Sequence, residues 1–124
     1  MQIFKHYSQY NGPWPWCYFT AKEISCKHCG ELAIDKESLD ALLRLRVLWG
    51  KPIIITSGHR CGIHNKLVGG AAHSEHLRLA FDCACPAAEQ EAFIELAVEC
   101  GFTGIGRYPA RGFVHLDCGR PRNW

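Results

Sequence analysis

The sequence lacks the segments that would place the chain in or across a membrane. No apolar run approaches the roughly 18 residues that a spanning helix requires. The first residues, 1–7, lack the apolar centre of a signal peptide. Internal repeats and low-complexity tracts are also absent, which excludes solenoids and disordered arrays. We therefore expect a protein that is made in the cytoplasm without a signal peptide and whose thiols stay reduced.

The sequence also lacks a block of charge of one sign. Its formal net charge is +2 and its basic residues are scattered, which argues against nucleic acid as a partner. With 48% hydrophobic and 21% charged residues, the chain has the composition of a globular protein. We expect one domain over 1–124. Its first part, 1–19, is rich in aromatic residues, and Pro13 and Pro15 favour an irregular arm there.

Cysteine is the residue type that is unusually common, since the chain has eight. Cys26 and Cys29 form the only CxxC pair, whereas a site of four thiolates normally requires two such pairs. Two interpretations stay open at this point. The cysteines serve as small buried apolar residues, or Cys26 and Cys29 form the centre of a metal or redox module.

Hydrophobic periodicity and turn residues predict an α+β fold. A capping box at Thr20–Glu23 predicts a short helix, and the strongest helical pattern runs from 36 to 49 between Asp35 and Gly50. The other predicted elements are a strand at 52–56, a helical turn at 61–68, a strand at 78–85, a helix from Pro86 to Gly101, and strands at 103–108 and 112–118. We expect a small, mainly antiparallel sheet with helices packed on one face.

Residues 73–82 combine ionisable side chains with an apolar run that ends in Asp82. A buried carboxylate is costly unless it is paired, hydrogen-bonded or bound to a metal. Because His73 and His76 precede it, a metal site is one interpretation. The alternative is a turn followed by a strand whose Asp82 caps a nearby element.

A second pair of polar residues lies in the last predicted strand, where His115 and Asp117 alternate with apolar residues. The two-residue period of a strand places both side chains on one face. A histidine and a carboxylate on one face suggest a metal ligand and a group that orients it, although a solvent-facing pair would have the same pattern. His76, Asp82 and His115 together supply the ligand set typical of catalytic zinc, whose fourth position is left for water.

Four motifs together resemble the superfamily of zinc D-alanyl-D-alanine peptidases. This superfamily includes D,D-carboxypeptidases, D-Ala-D-Ala dipeptidases, phage L-alanyl-D-glutamate endolysins and the hedgehog signalling domain, and the chain is most similar to the compact single-domain branch found in phages. The resemblance covers about residues 19–124. The motifs are Thr56-Ser57-Gly58-His59-Arg60, His64-Asn65 with Val68-Gly69-Gly70-Ala71, Ser74-x-His76-Leu77 with Ala80-Phe81-Asp82, and Gly104-Ile105-Gly106 with Phe113-Val114-His115-Leu116-Asp117.

The resemblance implies a role for each motif residue. His76, Asp82 and His115 would be the ligands of zinc (Zn2+). Arg60 would contact the carbonyl or carboxylate of the substrate and stabilise the developing oxyanion, which suits a guanidinium group. Ser74 would help to bind the substrate.

The chain departs from the family pattern between His76 and Asp82. These residues lie six positions apart, one fewer than in the family, and the expected glycine between Leu77 and Ala80 is missing. The metal geometry is preserved if the loop absorbs this deletion. If the strand slips by one residue instead, Asp82 faces the wrong side of the sheet.

A second departure concerns the general base. Several relatives place an acid or a histidine where this chain has Gly112. Asp117 is our first candidate for the base because it shares a strand face with His115, and His59 and His73 are the reserves. The alternative for Asp117 is a supporting carboxylate.

We therefore expect a monomeric zinc metallopeptidase that hydrolyses a peptide bond of peptidoglycan stem peptides. The bond is either D-Ala-D-Ala, as for a carboxypeptidase, or L-Ala-D-Glu, as for an endopeptidase. A protein made without a signal peptide would reach the cell wall during phage lysis or as part of a virion. The alternative function is a catalytically impaired, zinc-containing domain that binds peptidoglycan.

Overall fold

The computed structural model describes residues 1–70 and 78–124. Near the N-terminus, strand β1 (Gln2–Phe4) pairs antiparallel with strand β2 (Leu32–Ile34). The prediction of an irregular arm over 1–19 is therefore wrong for β1 and for a 3-10 turn at Tyr7–Gln9. Both lie before Pro13, so the prolines that suggested irregular backbone do not interrupt them. Helix α1 (Ala21–Ile24) follows, and the predicted capping box between Thr20 and Glu23 is confirmed.

Helix α2 (Lys36–Trp49) has the predicted bounds. Gly50 ends it with a left-handed φ of 74°, a conformation that costs glycine little. Leu39, Leu42 and Leu45 are fully buried along one side of the helix, as its amphipathic pattern requires.

The larger sheet contains the remaining five strands in the order β3-β4-β6-β5-β7. All neighbouring strands are antiparallel except β5 and β7, which are parallel. The strands are β3 (Ile55–Ser57), β4 (Phe81–Ala84), β5 (Gly104–Tyr108), β6 (Phe113–Asp117) and β7 (Arg122–Asn123). Helix α3 (Gly62–Leu67) follows β3, and helix α4 (Gln90–Glu99) lies between β4 and β5. The predicted α+β fold is confirmed.

The two faces of this sheet differ in chemistry. Phe81, Cys83, Val114 and Leu116 are fully buried and belong to a core cluster that also contains the apolar side chains of α2 and α4. Since side chains alternate along a strand, the intervening residues of β4 and β6 lie on the opposite face. The polar side chains of interest are on that face.

Some predicted bounds were wrong. The strand predicted at 52–56 begins later, at Ile55, and the one predicted at 78–85 is limited to Phe81–Ala84. The helix predicted from Pro86 starts with a 3-10 turn at Ala87–Glu89 before α4. None of the helices in the described ranges is long and apolar enough to cross a membrane.

Candidate active site

Asp82 and His115 are direct neighbours across two central strands. The register of β4 and β6 places them opposite each other, and the Nδ1 atom of His115 lies 3.2 Å from Oδ1 of Asp82. Asp82 therefore shares the face of His115, so the shorter spacing before Asp82 has not turned it to the core side. His76, Ser74 and His73, the other residues predicted in this region, lie outside the described residues.

This pair has the separation expected for two ligands of one metal ion. Zinc binds nitrogen and oxygen at about 2.0–2.2 Å, so two such ligands in a tetrahedral site lie about 3.4 Å apart. The side chains of both residues are mostly buried, with 9% exposed for His115 and 15% for Asp82. The residues present thus fit a zinc ion, with Nδ1 of His115 and Oδ1 of Asp82 as two of its ligands.

A β-bulge in β3 adjoins Asp82. Ile55 pairs with Cys83 and Ser57 pairs with Asp82, so that Thr56 is the extra residue of the bulged strand. The Thr56 hydroxyl donates a hydrogen bond of 3.2 Å to the carbonyl oxygen of Asp82. The bulge fixes the backbone of Asp82 where β3 ends and the loop that carries Arg60 begins.

Asp117 is buried beside His115, with 1% of its surface exposed. Its Oδ2 accepts from Nε2 of His115 at 2.6 Å and from Nη2 of Arg122 at 2.8 Å. Its Oδ1 accepts from the backbone N–H of Gly119 at 2.9 Å and from Nη1 of Arg122 at 3.1 Å. These four contacts use about the four lone-pair positions that a carboxylate offers.

Burial raises the pKa of Asp117, but the hydrogen bonds from His115, Arg122 and Gly119 lower it by a larger amount. The pKa of Asp117 therefore lies well below its ordinary value. Asp117 is therefore a stable carboxylate and a weak proton acceptor. The prediction that it is the general base stays untested, and its contacts favour the alternative of a carboxylate that supports His115.

The two carboxylates determine the state of the His115 ring. Burial lowers the pKa of His115, whereas the hydrogen bonds to Asp117 and Asp82 raise it above its ordinary value overall. A protonated ring donates Nε2–H to Asp117 and Nδ1–H to Asp82. A metal ion that replaces the Nδ1 proton would keep the Nε2–H bond, which is the usual arrangement of a metal-bound histidine.

Two glycines of β5 make room for these side chains. A Cβ atom on Gly104 would lie 2.2 Å from Oδ1 of Asp117. A Cβ atom on Gly106 would lie 2.6 Å from the indole of Trp124, which packs with its ring centroid 5.2 Å from that of His115. Both positions therefore exclude larger residues, and this is the physical basis of the Gly-Ile-Gly motif.

Arg60 lies in the loop between β3 and α3. Its Nη1 donates to Oδ1 of Asn65 at 3.0 Å, while its Nε is buried and has no hydrogen-bond partner among the described residues. Burial lowers the pKa of Arg60, and the nearby Asp82 carboxylate opposes that shift. A half-buried guanidinium with a donor that no other described residue uses is suited to binding an anionic or carbonyl oxygen.

His59 precedes Arg60 in this loop and is buried, with 2% of its surface exposed. Its Nδ1 donates to the carbonyl oxygen of Arg78 at 2.5 Å, and its Nε2 lies 2.7 Å from Oε1 of Glu31. Both ring nitrogens are thus engaged within the protein. These contacts favour a role in holding the loop and do not support the prediction that His59 is a reserve base.

The sequence reasoning missed two residues of this site, Arg122 and Trp124. Arg122 reaches Asp117 because β7 pairs with β5. A strand of only two residues is too short to show the alternating hydrophobic pattern by which a strand is predicted from sequence. A signal that was available is the pair of glycines in β5, since a strand glycine often marks the close approach of another group.

A family model described as Peptidase M15 matches residues 17–117. The match includes Arg60, Asp82, His115 and Asp117. It ends before Arg122 and Trp124. No curated protein matches the chain.

Proposed function

The chain belongs to the peptidase M15 family, and from that premise we propose that it is a zinc-dependent peptidase that hydrolyses a peptide bond of peptidoglycan stem peptides. The observation that carries the proposal is the contact between Asp82 and His115. It supplies two ligand atoms at zinc spacing on the face of the sheet opposite the core. His76 would be the third ligand, on the resemblance of its motif.

When bound, zinc supplies a Lewis acid that polarises the scissile carbonyl and makes water a better nucleophile. The residues of the chain have separate tasks around it. Asp117 holds the Nε2–H of His115 and thereby keeps Nδ1 directed at Asp82. Arg122 and the Gly119 N–H hold Asp117 in turn, so that the buried carboxylate stays fixed and charged.

Arg60 has the chemistry to bind the substrate. Its side chain is held at one end by Asn65, and its buried Nε has no partner among the residues that the structure describes. We propose that the guanidinium contacts the scissile carbonyl oxygen or the substrate carboxylate. Donors aimed at such an oxygen typically contribute about 10²–10³ to the rate of acyl transfer. Ser74 is proposed to bind the substrate beside it.

The proton acceptor is the remaining role. Asp117 and His59 both have their polar atoms engaged by neighbouring groups. Among our three candidates this leaves His73, which we propose for that role. His73→Ala should then lower the rate of cleavage and leave zinc binding intact.

Digestion of purified peptidoglycan, followed by mass spectrometry of the stem peptides, tests the function. The zinc-loaded protein should release new termini at either D-Ala-D-Ala or L-Ala-D-Glu, which also decides between carboxypeptidase and endopeptidase. His115→Ala should release none, while Lys5→Ala, which changes an exposed residue near the N-terminus, should cleave normally. Absence of any stem cleavage by the zinc-loaded protein would contradict the proposal.

A second candidate is a domain that binds peptidoglycan without cleaving it. Gly112 favours it, because this residue stands where several relatives have the base. Its φ of 71° is left-handed, so that an acidic residue there would be strained. Sedimentation of the zinc-loaded protein with peptidoglycan that stays uncleaved would identify this function.

A further inference from the structure

Three cysteines meet at a place that the proposed peptidase site does not use. Cys26 and Cys29 lie between α1 and β2, and Cys61 directly precedes α3. Their sulfur atoms all lie within 4.8 Å of one another. No other group of three cysteine, histidine or acidic side chains in the described parts of the chain converges in this way.

The backbone around Cys26 forms a tight turn. The N–H of Gly30 donates to the carbonyl oxygen of Cys26 at 2.8 Å, and the N–H of Cys26 donates to that of Glu31 at 2.8 Å. Gly30 has a left-handed φ of 80°, and a Cβ atom there would lie 2.5 Å from the His6 ring. The turn thus requires glycine after the second cysteine and brings the two sulfurs to the same side.

Backbone N–H groups also point at the sulfur of Cys26. The N–H groups of Cys61, Cys29 and His28 donate hydrogen bonds to this sulfur. The Cys61 sulfur in turn accepts from the N–H of His64 at 3.3 Å. Donors arranged around sulfur in this way stabilise a thiolate, which is the form that binds metal.

A fourth donor lies beside the three sulfurs. The Nδ1 atom of His28 is 3.8 Å from the sulfur of Cys61. The His28 ring is stacked on that of His64, with centroids 5.9 Å apart and planes 14° apart. Stacking restricts the ring to the side of the loop where Cys61 lies.

We propose that Cys26, Cys29 and Cys61, with His28 as the fourth ligand, bind a structural zinc ion. Sites with three cysteines and one histidine are closed tetrahedral sites of the structural class, in which sulfurs lie about 3.8 Å apart at Zn–S distances of about 2.3 Å. The sulfurs need only a small contraction to reach that geometry. A disulfide between any two of them would leave the third thiol unused, so the three-fold convergence favours metal over a redox pair.

The zinc ion would connect two loops that already touch. The N–H of His59 donates to the carbonyl oxygen of Ile24 at 2.9 Å, and a Cβ atom on Gly58 would lie 2.3 Å from that oxygen. Cys61 directly follows Arg60. The ion would therefore fix the loop that carries Arg60 to the segment after α1, and thus position Arg60.

Metal analysis of the full chain, purified with reductant and zinc, tests this inference. Wild type should hold about two zinc ions per chain, one at each site. Cys26→Ser and His115→Ala should each reduce this to about one, by emptying different sites. Cys17→Ser is the matched control, because Cys17 is an exposed cysteine outside the cluster, and it should retain both ions.

Cobalt substitution distinguishes the two sites without relying on activity. Wild type loaded with cobalt should show the near-ultraviolet charge-transfer band of thiolate-bound cobalt. His115→Ala should keep that band, and Cys29→Ser should lose most of it. The inference is overturned if wild type shows no thiolate band, or if every bound ion is lost in His115→Ala. It is also overturned if Cys26 and Cys29 are joined as a disulfide in the freshly isolated protein. None of these results depends on whether peptidoglycan is cleaved.

Discussion

Replacing Asp117 by asparagine isolates what the buried carboxylate contributes. The two side chains have nearly the same shape, but the amide has one acceptor oxygen and an NH2 group that is a donor. Asp117 accepts from His115, Arg122 and the Gly119 N–H. In either orientation of the amide, its NH2 group must face some of these donors.

The size of the effect follows from burial. Removing one partner of a fully buried ion pair costs about 3–5 kcal/mol. The Arg122 side chain is 24% exposed and regains some hydration, so we expect a loss of about 1–3 kcal/mol in the free energy of unfolding. Groups that orient a metal-bound histidine typically contribute about 10–100-fold to metal affinity, so zinc affinity should fall by that factor.

Competition with a chromophoric chelator measures the zinc affinity, and cleavage of stem peptides is then assayed at limiting and at saturating zinc. A positioning role predicts weaker zinc binding in Asp117→Asn, with cleavage largely restored at saturating zinc. Asp40→Asn is the control, since Asp40 also accepts hydrogen bonds, from Trp16 and Lys36, but lies away from the site. Unchanged zinc affinity together with lost cleavage at every zinc concentration would refute this reasoning and identify Asp117 as the base.

Three other changes test separate parts of the site. Gly104→Ala places a methyl group against Oδ1 of Asp117, so thermal unfolding should show a loss of about 1–3 kcal/mol and cleavage should fall. Gly62→Ala, where nothing lies within 4 Å, should lower neither stability nor cleavage. Arg60→Lys keeps the charge but removes the guanidinium fork, and steady-state kinetics should show a loss of about 10²-fold in kcat/KM. Arg46→Lys is the control, since Arg46 is a half-buried arginine of α2 that lies over the Tyr18 ring. A chelator should lower the melting temperature of wild type by roughly 10 °C, because a tightly bound ion stabilises only the folded chain. Calorimetry should show that the chelator lowers the melting temperature of His115→Ala by less.

The sequence was sufficient to predict that His115 and Asp117 lie on one face of a strand. These two share a face because side chains alternate along any strand, and Asp82, which ends an apolar run in the sequence, is the second residue of β4. Whether Asp82 faces His115 depends on strand register, which the six-residue spacing from His76 left open. The register is fixed by the core, since Phe81 and Cys83 must both be buried.

Other contacts depend on packing that no local pattern encodes. Arg122 meets Asp117 only through the parallel pairing of β7 with β5. Cys61 meets Cys26 and Cys29 because the loop after β3 packs on the segment after α1. The CxxC spacing was visible in the sequence, but the third cysteine lies far along the chain.

The central claim is that the chain cleaves stem peptides with a zinc ion held by Asp82 and His115. A zinc titration tests this claim most directly. The metal is removed with a chelator, zinc is added back in steps, and stem-peptide cleavage is followed by mass spectrometry. We expect cleavage to return with added zinc in wild type, and to stay absent in His115→Ala and Asp82→Ala at every zinc concentration. Equal cleavage by the zinc-free protein, or full cleavage by either variant, would contradict the claim.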